Sequence, residues 1–149
     1  MDRPNSGMGL FVKLAMVQHD VEGVEKSADN PYFSSKYATF EMVIAALRPS
    51  LEKYSLLIVH RVVPGSEDGY ALLHTVIHDL QSEEELQSSY PLALSANPQK
   101  MGSQITYAKR YNVVALFNLS MVEEDDDGAF GAGLSKPTGA DALLAKLKS

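Results

Sequence analysis

The 149-residue chain contains no cysteine, which excludes a disulfide framework and any cysteine-based metal site. A chain without cysteine suits the reducing cytoplasm. No apolar run approaches the ~20 residues that a membrane-spanning helix needs, and the N-terminus lacks the basic and then apolar stretch of a signal peptide. We therefore expect a cytoplasmic protein without membrane contact.

The sequence also lacks the usual signatures of catalysis. A glycine-rich phosphate loop of the Walker type is missing, so an ATP-driven activity is not supported. No Ser/His/Asp or Cys/His combination is recognisable. His74 and His78 fall on the same side of a predicted strand, but two histidines without a third ligand make a poor zinc site. We expect no catalytic residue, no metal ligand and no cofactor.

The negative charge is concentrated in two places. The net charge is −6, and eight of the 19 acidic residues lie in the segments Glu123–Asp127 and Glu83–Glu85. The rest of the chain has 13 basic residues against 11 acidic ones. A local basic surface is therefore compatible with an acidic protein.

Hydrophobic spacing predicts an α+β fold. Apolar residues recur with a helical period from Leu10, and a second helix is predicted after a cap at Thr39, with a kink or break at Pro49. Three strands are then predicted: residues 55–63, which are rich in β-branched side chains, residues 70–78, which alternate between two faces, and residues 86–94. We expect an antiparallel meander, covered by helices on one face, with a short extra strand at residues 34–38.

The composition divides the chain into three parts. Residues 1–8 are expected to be a flexible N-terminus, and residues 9–128 one domain. Residues 129–149 read as a flexible linker followed by a short amphipathic helix over residues 141–148.

The segment Asn97–Tyr111 predicts a helix that carries function. Asn97 is a suitable cap, and Pro98 fits the first helical position. At 100° per residue, Met101, Ile105, Ala108 and Ala115 share the face expected to pack on the sheet, with Arg110 nearly opposite. Lys109 lies on one flank, and the other flank carries a stripe formed by Lys100, Gln104, Tyr107 and Tyr111.

Basic and aromatic side chains on one rigid helix suit nucleic acid, because cations neutralise phosphates and flat rings stack on unpaired bases. The tyrosines fit equally well as amphipathic residues at the edge of the core. For the cations, the alternative is an ordinary solvated surface.

The segment Asn30–Ala38 places three aromatic residues and Lys36 after a proline. It fits either a stacking platform with a phosphate contact or a loop held by its aromatics. Phe33 favours the structural interpretation, whereas Lys36 and Tyr37 fit both. Arg61 is a further candidate cation on a predicted strand.

The acidic segment Glu123–Asp127 has several interpretations. Its carboxylates suit Mg²⁺, but the spacing does not match a calcium loop, because the twelfth position falls on Leu134. A nuclease would need acids converging from several elements. A solvated acidic segment is the simplest alternative.

These three segments, in this order and at these distances, resemble the ERF (essential recombination function) family of phage single-strand annealing proteins from about Leu10 to Gly128. The stretch Ala108–Arg110 is also similar to the basic helix of the eukaryotic Rad-type annealing mediator. The resemblance implies a β-β-β-α core like that of strand-annealing recombinases. It also implies a defined role for Glu123–Asp127, such as contact with a neighbouring subunit's basic face.

The resemblance further implies a DNA recombination and repair protein of a phage, working in the bacterial cytoplasm. Such a protein binds single-stranded DNA and anneals complementary strands without ATP, as a homo-oligomeric ring or filament, with a host or phage single-strand binding protein as a further partner. The implied DNA-binding residues are Lys36, Tyr37, Arg61, Lys100, Gln104, Tyr107, Lys109, Arg110 and Tyr111. Two alternatives stay open, a metal-dependent nuclease that uses the acidic segment and a double-stranded RNA-binding module.

Overall fold

A computed structural model describes residues 7–25 and 38–120. Three helices and three strands follow in the order α1 (Leu10–Glu25), α2 (Phe40–Tyr54), β1 (Leu56–Pro64), β2 (Tyr70–Asp79), β3 (Glu85–Ala93) and α3 (Pro98–Phe117). The predicted α+β class is confirmed. Of the extra strand predicted at residues 34–38, only Ala38 lies within the described residues, and it belongs to no strand.

The sheet is the predicted antiparallel meander with the order β1-β2-β3. Leu56 lies opposite Asp79 in the first pair, and Tyr70 lies opposite Ala93 in the second. Alternate residues of β2 are buried beneath the helices: Ala71, Leu73, Thr75 and Ile77. All three described helices pack on this face of the sheet.

Helix α2 begins as predicted, with the Thr39 hydroxyl accepting a hydrogen bond from the Met42 N–H at 3.2 Å. It ends at Ser55, whose left-handed φ of 57° closes the last turn. The break predicted at Pro49 does not occur, because one helix runs through it. Pro49 is exposed, and because proline has no backbone N–H, one hydrogen bond of the helix is missing there. Buried residues on the opposite side, among them Val43 and Leu47, hold the helix together.

Helix α3 confirms the predicted N-terminal cap and corrects one predicted face. Asn97 Oδ1 accepts from the Gln99 N–H at 3.0 Å, and Asn118 ends the helix in the left-handed conformation. Ala108 packs on the sheet as expected, but Ala115 is exposed. The reason is a change of partner along the helix: the C-terminal half packs on α1 and α2 through Val113 and Phe117.

Two hydrophobic clusters hold the fold. The larger joins α1, α2 and the C-terminal half of α3 to one end of the sheet. The smaller packs Ala108 against Ala71, Leu73 and Leu92 near the other end. The N-terminal half of α3 therefore lies on β2 and β3, and this half carries the functional candidates. None of the helices within residues 7–25 and 38–120 is long and apolar enough to cross a membrane.

Candidate nucleic-acid interface

A groove of about 670 Å³ separates the start of α2 from the N-terminal half of α3. On the α3 side, Gly102 has no side chain, and the space next to its Cα is open. Small hydroxyl residues continue this surface along α3. The groove is lined by Thr39, Phe40, Gln99, Gly102, Ser103, Thr106, Tyr107 and Arg110. This shape suits an extended chain that lies along the helix.

Arg110 forms one wall of the groove and links two of the sequence segments. Its Nη1 lies 3.5 Å from the carbonyl oxygen of Ala38, the last residue of the segment Asn30–Ala38. Its guanidinium carbon lies 5.4 Å from the ring centre of Tyr107 and 5.6 Å from that of Tyr111. The Nε atom is buried and has no hydrogen-bond partner within the described part of the chain. Among these residues the guanidinium is thus held in place while much of its donor capacity stays unused.

Tyr90, Tyr107 and Tyr111 form a cluster beside Arg110. The ring centres of Tyr107 and Tyr111 lie 4.4 Å apart, and Tyr90 packs at 6.2 Å and 6.0 Å from them. The two helix tyrosines stay 46% and 44% exposed. A hydrogen bond of 3.0 Å joins their hydroxyls and, with burial, raises the pKa of Tyr107. Each ring therefore has a packed side and an open side, an arrangement compatible with either interpretation from the sequence.

Lys109 lies over the start of α2, with its Nζ 5.6 Å from the ring centre of Phe40. The His60 ring meets the same Phe40 ring edge-on at 5.7 Å. Burial and the positive charge of Lys109 lower the pKa of His60 to about 4. His60 is therefore neutral at pH 7, and Lys109 is the cation of this cluster.

Gln104 is held by the protein itself. Its Oε1 accepts from the Ala93 N–H at 3.0 Å, and its Nε2 donates to the Ala93 carbonyl at 2.9 Å. The amide thus fastens α3 to the outer edge of β3. Lys100 is exposed near the start of α3.

Arg61 lies apart from the other candidates. It pairs with His74, whose neighbours in β2, Leu73 and Thr75, point to the helices. Successive side chains alternate between the faces of a sheet, so Arg61 lies on the face opposite α3. Lys36 and Tyr37 lie outside the described residues. Of the α3 candidates, the structure therefore brings Tyr107 and Arg110 to the groove, with Lys109 over Phe40 beside it, and it does not bring Arg61 to them.

A buried polar network fixes the rotation of α3, and the sequence analysis missed it. Asn112 Nδ2 donates to the Leu73 carbonyl at 3.1 Å and to Thr75 Oγ1 at 2.9 Å, and Thr75 Oγ1 is 2.8 Å from His60 Nδ1. The available signal was Asn112, a polar residue four positions after Ala108 on the packed face of the helix. Phe40 and the small residues that line the groove were not predicted from the sequence either.

Within the described ranges, no group of three histidine or acidic residues could hold a metal ion. A family model described as the ERF superfamily matches residues 11–138. No curated protein and no solved structure matches the sequence significantly. The family match includes every described helix and strand except the first residue of α1.

Proposed function

The chain belongs to the ERF superfamily, and from that premise we propose that it binds single-stranded DNA and anneals complementary strands without ATP. The family supports a recombination or annealing role of the phage type in general. The type of strand, the independence from nucleotide and the residues in contact are our proposal.

The observation that carries the proposal is the position of Arg110 at the groove. A half-buried guanidinium whose buried Nε has no hydrogen-bond partner among residues 7–25 and 38–120 is desolvated in part and held in one orientation. Such a cation offers a phosphate a rigid set of donors, and Lys109 adds a second charge on the next helix position. Phosphate contact of this kind gives affinity without sequence preference.

The tyrosine cluster supports a single strand as the ligand. Tyr107 lines the groove and borders Arg110. An exposed ring beside a phosphate-binding cation is suited to stack on an unpaired base or a sugar, and bases are accessible for stacking only when the strand is not paired.

Annealing follows from holding the backbone rather than the bases. If the phosphates face Arg110 and Lys109, the Watson–Crick edges of the remaining bases stay open to a second strand. Base pairing then supplies the specificity, and the protein supplies the extended geometry. The chemistry requires no covalent step, so we propose a protein that is not an enzyme.

One domain of this size contacts only a few nucleotides, so we propose that the protein works as a homo-oligomer along a long strand. The proposed place of action is the cytoplasm of a bacterial host. A host or phage single-strand binding protein, which covers the same substrate, is a proposed partner.

The proposal is tested by the salt dependence of binding. Titration of a labelled oligonucleotide at several salt concentrations, followed by anisotropy, is compared for wild type, Arg110→Ala and Arg48→Ala, an exposed cation on α2. Loss of one phosphate contact should reduce the slope of log K against log salt by about 0.7 for Arg110→Ala. Arg48→Ala should keep the wild-type slope. Equal slopes for all three proteins would remove Arg110 from the interface.

A second assay addresses the reaction itself. Two complementary labelled strands are mixed with the protein, with and without ATP and Mg²⁺. We expect faster duplex formation in both conditions and intact strands throughout. Shortened strands in Mg²⁺ would indicate a nuclease instead, and stronger competition by duplex RNA than by single strands would indicate an RNA-binding module.

A further inference from the structure

The two outer edges of the sheet differ in how their backbone groups are used. β2 is the central strand, so β1 and β3 each have one edge without a strand beside it in the described part of the chain. An open strand edge carries unpaired N–H and C=O groups and is a template for another strand.

The β3 edge is closed near α3. The Gln104 side chain forms hydrogen bonds with both the N–H and the C=O of Ala93, which shows that these groups point away from β2. Backbone direction alternates along an antiparallel strand, so Pro91 also faces outward, where its missing N–H cannot recruit a partner.

The β1 edge is open as far as residues 7–25 and 38–120 are concerned. The bonds from the Gly65 N–H to the Tyr70 carbonyl and from the Leu80 N–H to the Ser55 carbonyl show that odd-numbered residues of β1 bond to β2. The even-numbered residues Ile58, His60 and Val62 therefore direct their backbone groups outward. No backbone group among residues 7–25 and 38–120 bonds to them across this edge.

We propose that two copies of this chain pair antiparallel through the outer edges of their β1 strands, with His60 opposite His60 of the second copy. In this register Ile58 lies opposite Val62 of the second copy. Each of the three outward residues then exchanges both of its backbone hydrogen bonds, and the two sheets become one.

The side chains match in this register. Leu57 is 45% exposed and Val62 is 52% exposed in the single chain. Leu57 would meet Val63 of the second copy, and Val62 would meet Ile58, so both apolar side chains gain apolar cross-strand neighbours. The two His60 rings meet without charge at pH 7, because their pKa is about 4. Strand β1 is also rich in β-branched residues, which suit a paired strand.

A second copy is the favoured occupant because the edge is complementary to itself. The pairing is two-fold and closed, so it adds to a head-to-tail contact and does not replace one. It does not depend on DNA.

The absence of cysteine permits a direct test of the register. The residues Val59 and Arg61 of opposite copies form a non-hydrogen-bonded pair in the proposed register, with Cα atoms about 4.5 Å apart, a distance that a disulfide spans. Mixed Val59→Cys and Arg61→Cys chains should give a disulfide-linked dimer under mild oxidation without DNA. The matched mixture of Leu57→Cys with Arg61→Cys is out of register and should give at least tenfold less.

A second variant tests the hydrogen bonds. Val62→Pro removes an outward N–H without touching the β1–β2 ladder, and Ser89→Pro does the same on the β3 edge. In the Val59→Cys and Arg61→Cys mixture, Val62→Pro should reduce the cross-link at least tenfold and Ser89→Pro should not, with both proteins folded by circular dichroism. Equal cross-linking in both mixtures, none in either, or a cross-link that survives Val62→Pro would overturn the pairing. The DNA-binding proposal is unaffected by such a failure, since no DNA is present.

Discussion

Lys13 Nζ lies 2.6 Å from Asp79 Oδ1, and both side chains are fully buried. Lys13 also donates to Gln81 Oε1 at 2.7 Å, and Asp79 accepts from the Gln81 N–H and the Ser82 hydroxyl. Burial raises the pKa of Asp79, but these hydrogen bonds outweigh it and hold the pKa below 3.8. The pair fastens α1 to the turn between β2 and β3.

Breaking this pair on one side should be costly. Asp79→Asn leaves the Lys13 ammonium buried without a countercharge, so we expect the free energy of unfolding to fall by about 3–5 kcal/mol. Urea unfolding at pH 7 measures it, with Glu67→Gln as the exposed control within about 0.5 kcal/mol. The double variant Lys13→Met/Asp79→Asn should lose less than the sum of the single changes. Additive losses would show that the two groups do not interact.

The same pair predicts a stability loss in acid. The folded-state pKa of Asp79 lies below the unfolded value, so the unfolded chain binds the proton first as the pH falls. The stabilisation is present above about pH 4 and is lost as the pH falls through the folded-state pKa. In Asp79→Asn, this part of the fall in unfolding free energy at low pH should be absent. A variant whose stability falls as steeply as wild type below pH 4 would contradict the assignment.

His60 predicts a second loss of stability on acidification, in a pH range above that of Asp79. Its pKa is about 4 in the folded protein against 6.5 for a free histidine, so the unfolded chain binds more protons between these values. The unfolding free energy should fall by about 1–2 kcal/mol from pH 6.5 to pH 4, a reduced figure because the ring is partly exposed. His60→Gln should remove this slope in urea titrations, and His19→Gln, on the exposed side of α1, should keep it.

Tyr107 should contribute its ring to DNA binding. Stacking on a base is worth about 1–3 kcal/mol, so Tyr107→Ala should weaken the binding of a labelled single strand accordingly, while Tyr107→Phe should bind like wild type. Tyr70→Ala is the matched control, because Tyr70 is 49% exposed and outside the groove. A Phe variant as weak as the Ala variant would assign the contribution to the hydroxyl instead.

Gln104 should stabilise the fold rather than bind DNA. Gln104→Ala removes both hydrogen bonds to Ala93, which should cost about 1–2 kcal/mol of unfolding free energy. Affinity for a single strand should stay within about twofold, because the amide is already occupied. Gln99→Ala, an exposed residue at the groove, should leave stability unchanged. A Gln104→Ala protein with full stability and weak binding would return this residue to the interface.

Removal of the chain beyond Gly128 should spare DNA binding. The glycines and Pro137 leave residues 129–139 with little apolar surface, and the segment 141–148 is too short for an isolated helix. We expect single-strand affinity within about twofold of the full chain. A truncated protein that keeps its circular dichroism spectrum but loses binding would place the contact in the tail.

The sequence predicted the elements that local rules control. The caps Thr39 and Asn97 and the alternation along β2 depend on neighbouring residues, and all are confirmed. The break at Pro49 was wrong because packing on the far side of α2 outweighs one lost bond. The exposure of Ala115 depends on which element lies under each half of α3, and helical periodicity does not contain that information.

In the candidate site too, local spacing was predictable and tertiary contacts were not. Arg110, Lys109 and Tyr107 share a helix, so spacing alone grouped them. The contact from Arg110 to Ala38 spans 72 residues, and Arg61 faces away because of the register of β1 with β2. Such relationships come from tertiary packing and have no local signature in the chain.

The buried pair of Lys13 and Asp79 also imposes an order on synthesis, because its members lie 66 residues apart. At about 5–20 residues per second, Lys13 is synthesised roughly 3–13 s before its partner residue is made. The strands of the meander are neighbours in sequence and can pair as they emerge, whereas α1 must wait with its ammonium in water. The N-terminal helix, although made first, should therefore dock only after β2 has been made.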